Sequence, residues 1–165
     1  MLPDHGLVGY YQMLPHRKLT AVSPRPTATP TAAQMADDAS QRQFVDRLRS
    51  TGLSVETGDS VAQSFLRVSG TILHLSGGSL RQPAAIQSYA YKDPAIAADD
   101  VRRVSPDGGG ARWTNPDGTG QGVAISWIAP PHFFHRDRLL ALYVGKDTDV
   151  IALLTDLLGP QVAGR

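Results

Sequence analysis

Cysteine is absent from the 165-residue chain. That excludes disulfides, thiolate zinc ligands, cysteine nucleophiles and lipid carried on a cysteine for these residues. Glutamate is nearly absent: Glu56 is the one glutamate, with no obvious carboxylate partner in sequence for paired acid–base chemistry. No apolar run approaches the roughly 20 residues a membrane-spanning helix requires. An excess of positive charge is missing too. Sixteen Lys and Arg face fifteen Asp and Glu, for a net charge of +1, which argues against a nucleic-acid partner. What is present is a 41% hydrophobic content, enough for a packed core.

Composition changes near residue 35. Residues 1–35 hold five of the twelve prolines, and Ser23–Ala32 has no apolar period. Proline fixes φ and removes donors, and Thr and Ala bury little surface. Residues 1–35 are therefore expected to be a flexible Pro/Thr/Ala-rich tail or tether, and 36–165 a single globular domain. The tail carries Arg17, Lys18 and Arg25 against Asp4, so the domain itself is close to neutral. Leu7–Tyr11 is too short, and too soon broken by Gly9 and Gln12, to read as a signal peptide. Export with a signal upstream of Met1 is the expected setting, and a cytoplasmic protein is the alternative.

Within the domain, Ser40 and Gln43 fit a capping box, Phe44, Val45 and Leu48 an apolar stripe, and Gly52 a helix stop. Short extended pieces are expected at Leu53–Val55, Phe65–Val68, Thr71–Leu75 and Ala85–Tyr91, the last two as a hairpin. Asp93-Pro94 opens a second helix, since aspartate caps and proline loses no bond at the first position. Its stripe is Ala97, Val101 and Val104, with Asp99, Asp100, Arg102 and Arg103 turned to water. Residues 105–122, with six glycines, read as a long loop. Strands follow at Val123–Ile128 and Leu139–Val144, joined by a loop at 129–138. A last helix, begun at Asp147 or Thr148, ends at Gly159-Pro160. This order predicts an α+β fold: an antiparallel or mixed sheet of about five strands, with helices mainly on one face. Trp127, Leu140, Leu142, Leu154 and Leu157 are expected to pack together between strand and last helix.

The apolar blocks Ile125–Phe134, Leu139–Gly145 and Leu157–Gly164, with Phe44–Leu53 and Val104–Gly108, resemble the end of a group of uncharacterised bacterial exported, lipoprotein-like proteins. The resemblance covers about residues 40–165. It implies a cell-envelope setting behind a tether and no activity. This chain lacks the lipid-bearing cysteine and has an expanded loop at 105–122.

Two clusters are candidates for function. His132, His135 and Asp137 have the side chains of a zinc or other transition-metal site. On a strand, residues three apart face opposite sides, so the histidines converge only if the piece is a turn. The competing reading is a connecting loop with Phe133 in the core and no tightly bound metal. Arg112, Trp113, Asn115 and Asp117 form a candidate ligand or partner surface in the glycine-rich loop. Asn115–Gln121 spaces oxygens as a calcium loop does, but Ser126 stands where the bidentate glutamate belongs. Gly108–Gly110 lacks the Lys-Ser/Thr of a nucleotide loop. No Ser-His-Asp order or nucleophile elbow is present, and no cofactor is implied. The first expectation is a non-enzymatic envelope domain that binds a protein or small ligand. A metal-binding protein or enzyme, and a purely structural envelope domain, are the alternatives.

Overall fold

The computed structural model describes residues 32–164, so the stretch 1–31 assigned to the tail lies outside the described residues. The helix α1 runs Ala32–Ser50, starting four residues inside the segment assigned to the tail. Phe44, Val45 and Leu48 are buried along it. Gly52, at φ 86°, ends it with its amide on the Arg49 carbonyl.

Three strands follow as an antiparallel meander: β1 Leu53–Val61, β2 Gly70–Gly77 and β3 Ala84–Ala90. β1 is longer than expected because an irregularity between Thr57 and Ser60 lets the strand continue past Gly58-Asp59. Phe65–Val68 is not a strand. It is an irregular loop whose Phe65 and Leu66 are buried, so the apolar pattern there reflects a plug over the sheet.

The helix α2 spans Pro94–Arg103, with the Asp93 carboxylate accepting from the Ala95 amide. The expected long loop instead contains a hairpin, β4 Gly110–Thr114 and β5 Gly120–Ala124, a separate two-stranded sheet. The last part comprises β6 Pro131–Arg136, β7 Leu139–Val144, α3 Thr148–Leu158 and the short β8 Ala163–Gly164. The expected 129–138 loop is thus mostly strand. Proline is tolerated at a strand's first residue, where Pro131 sits. The expected strand at Val123–Ile128 stops at Ala124.

The main sheet has the order β1-β2-β3-β7-β6-β8, every neighbouring pair antiparallel. This is the α+β fold, with six strands in place of about five. Side chains alternate between two cores. Leu139, Ala141 and Tyr143 face α1 and α3, with Leu73, Leu75, Ile86 and Phe134. Leu140 and Leu142 face the opposite way, with Phe65, Tyr89, Phe133 and Ala97 of α2. The helices are therefore divided between the faces. The expected cluster is divided too: Leu154 and Leu157 lie in the first core, Trp127, Leu140 and Leu142 in the second. Leu140 and Leu142, two apart, share one face of β7 with Trp127, and α3 packs on the other, so the sheet lies between the two groups.

Candidate functional site

The histidine pair is separated by the strand that carries it. His132 pairs with Tyr143 and shares the α1/α3 face, whereas His135 pairs with Leu140 on the other. His132 is 5% exposed, and its ring stacks on Tyr143 at 5.9 Å. Its Nδ1 lies 2.7 Å from Gln161 Oε1 and its Nε2 3.0 Å from the Gly145 carbonyl oxygen, so both nitrogens are engaged. The His135 Nε2 bonds the Asp137 carbonyl at 3.0 Å. Asp137 occupies the β6–β7 turn at φ 54°. Among the described residues, no three His, Asp or Glu side chains converge to hold a metal.

The charged side of α2 is rearranged as well. Asp100 was expected in water and is 0% exposed. It accepts from the Arg67 amide at 2.9 Å, from Arg67 Nε at 2.7 Å and from the Tyr91 hydroxyl at 3.0 Å. Arg67 also donates to Asp99 at 2.6 Å, and Arg103 reaches Asp99 at 2.9 Å and Asp100 at 3.6 Å. At Asp99, partial burial works to raise the carboxyl pKa, and the charges of Arg103, Arg102 and Arg67 outweigh it, leaving the pKa lowered. The signal was present in the spacing: Ala97, Asp100, Val101 and Val104 follow i, i+3, i+4, i+7, so Asp100 sits on the apolar stripe.

The Arg112–Asp117 segment lies on the β4–β5 hairpin. Asn115 and Asp117 close its turn on themselves. The Asn115 Nδ2 donates to Thr119 Oγ1 at 3.0 Å, and Asp117 accepts from the Thr119 hydroxyl and amide at 2.6 and 2.9 Å. Those two bonds hold the Asp117 carboxyl below its ordinary pKa. Trp113 packs half-buried against the second core. Arg112 is exposed, and its side chain has no hydrogen bond or ion pair among the described residues.

A groove of about 760 Å³ opens between this hairpin and the end of α2. Arg102, Arg103 and Arg112 line it, with Ser105 and Asp107 on the connecting turn and Ala111 and Val123 among its apolar surfaces. The turn is fixed from within: Ser105 Oγ donates to Asp107 at 2.7 Å and accepts from the Gly110 amide at 2.9 Å. Gly108 turns at φ 71° within contact of Pro131 and Phe133, and its carbonyl accepts from Trp127 Nε1 at 2.7 Å. A side chain at residue 108 would strike Pro131.

The chain matches no protein-family model, no curated protein and no solved structure.

Chemically, the groove offers charge recognition. Arg103 is committed to Asp99 and Asp100, and Arg102 touches Asp99 at 3.4 Å. Arg112 keeps its whole donor fork for a ligand. From sequence, Arg102, Arg103, Arg112 and Trp113 form a candidate basic-aromatic patch, with solvated helix residues and a loop as the favoured reading. The hairpin, hidden by the glycine run, brings the three arginines to one groove.

Proposed function

We propose that the protein is a non-enzymatic, tethered cell-envelope domain that binds a partner or small ligand in the groove between α2 and the β4–β5 hairpin. The observation that carries this reading is Arg112: an exposed guanidinium, without a hydrogen bond or ion pair among the described residues, on the rim of a groove whose other arginines are already braced by Asp99 and Asp100. An acidic group on the ligand supplies the acceptor that Arg112 lacks. Charge-assisted bonds of this kind contribute about 1.5–3 kcal/mol each. The wholly exposed Ile128 and the half-buried Trp113 and Trp127 add apolar surface near the same hairpin for a larger partner. The envelope setting rests on the Pro/Thr/Ala stretch and on the resemblance to exported lipoprotein-like proteins. Among the described residues, no helix is long and apolar enough to cross a membrane.

Amide-shift screening of small carboxylates and short acidic peptides against the full chain tests the binding reading. Perturbations are expected at residues 102–112 and 120–124, with affinity about tenfold lower in Arg112→Ala. Shifts spread over other surfaces, or binding indifferent to Arg112→Ala, refute it. The setting is tested separately by cell fractionation: the natural protein is expected with the envelope, and recovery in the cytoplasm alone rejects the tether.

A further inference from the structure

A second, smaller pocket of about 210 Å³ is formed by α1, the β6–β7 turn and the end of α3. We propose that it binds a small phosphate monoester. Three arginines line it: Arg47 from α1, and Arg136 and Arg138 from either side of Asp137. The register pairs Arg136 with Leu139, so Asp137 and Arg138 alone make the turn, and the two arginines are held by a tight hairpin.

Among the described residues, none of these arginines has an ion pair. Arg47 and Arg138 have no side-chain hydrogen bond or ion pair among the described residues, and Asp137 has no ion pair with either. Arg136 donates once, at 3.2 Å, to the Leu157 carbonyl, which fixes its position and leaves other donors free. Arg47 is half-buried without an acceptor, and a partly desolvated guanidinium in that condition is stabilised by an anion. Like charges lining one pocket repel, and a bound anion relieves that repulsion.

Ligand class follows from charge, size and floor. Three guanidinium groups against one carboxylate leave an excess of two positive charges. A phosphate monoester carries about −1.5 to −2 at neutral pH, whereas a carboxylate carries only one charge. The volume is below the roughly 300–1,000 Å³ of pockets for drug-sized molecules. Phe44, Leu139 and Leu158 form an apolar floor that suits a compact organic body behind the phosphate.

Calorimetric titration of the full chain with phenyl phosphate, inorganic phosphate and benzoate is the test. Phenyl phosphate is expected to bind saturably at one site. Inorganic phosphate should bind more weakly through the same arginines, and benzoate should be weaker than phenyl phosphate. Arg47→Ala and Arg138→Ala should each lower the phenyl phosphate affinity about tenfold, and Arg138→Lys less. Arg112→Ala, in the other groove, should change nothing, which keeps this pocket distinct from the hairpin site. Neither arginine makes a side-chain bond that folding depends on, and unchanged circular dichroism and melting temperature would verify this for each variant. No saturable binding at about 10 mM phenyl phosphate overturns the proposal. So does an affinity loss that follows Arg112 instead of Arg138, or equal affinity for benzoate and phenyl phosphate in the Arg112→Ala chain.

Discussion

Asp100→Ala is expected to destabilise the domain by about 3–5 kcal/mol in urea unfolding, although its sequence neighbours are a charged run. The carboxylate is completely buried and accepts from the Arg67 backbone amide, the Arg67 guanidinium and the Tyr91 hydroxyl. Removing it leaves the buried Tyr91 hydroxyl and the Arg67 amide without their acceptor, and reduces the hydrogen bonds from the 62–69 loop to α2 to those of Arg67 with Asp99 and the Ile96 carbonyl. It also exposes Arg103 to the loss of one of its two carboxylates. Asp99 provides the control. Its side chain is 40% exposed, and exposed ion pairs contribute about 0–1 kcal/mol, so Asp99→Ala should cost far less. Equal costs for the two aspartates would show that Asp100 is not the anchor of this loop.

The second large effect is alkaline unfolding. Burial pushes the Tyr89 hydroxyl well above the ordinary tyrosine value. Burial does the same at Tyr91, reinforced by the adjacent Asp100 charge. Both groups thus have folded-state pKa values raised above those of the unfolded chain. Their contribution is fully present below the unfolded value of about 10 and is lost as pH rises above it, because the unfolded tyrosines ionise first. Once above about pH 10, stability should fall by about 1.4 kcal/mol per pH unit for each tyrosine. Urea midpoints taken from pH 8 to 12 measure this. Tyr91→Phe should lose a hydrogen bond at neutral pH, yet its stability should fall about half as steeply above pH 10. A flat profile across that range would mean the two hydroxyls reach solvent.

Much of the architecture was legible where local chemistry and tertiary packing agree. Asp93-Pro94, Asp147 and Gly159 mark helix ends through their own backbone requirements, and the helices begin and stop there. The doubly apolar Leu139–Val144 is central in the sheet because a strand covered on both faces needs apolar side chains on both. Legibility failed where the local pattern is weak or ambiguous. The glycines of 105–122 mark turns, but they also lie inside the five-residue strands that pair Trp113 with Gln121, so little apolar alternation marks the hairpin. Phe65–Val68 has the composition of a strand and is a loop, its Phe65 and Leu66 buried in the second core. His132 and His135 are adjacent enough to suggest a joint role, and one parity of the β6 pleat separates them.

The neighbouring of β3 and β7 has a consequence for how the chain assembles. The first three strands can close as a local meander, while the pairing of Ala90 with Leu139 waits for everything between them to be made. During synthesis the β3 edge therefore stays open, with Ile86, Ser88 and Tyr89 on the strand that is later covered on both faces. Non-local pairing of this kind is slow, since loop closure must precede the contacts that reward it. The α2–hairpin excursion fills that interval. It leaves from β3 and returns at β6, and β7 then fills the place between them, so its length sets how long the edge is unprotected without altering the register of the finished sheet.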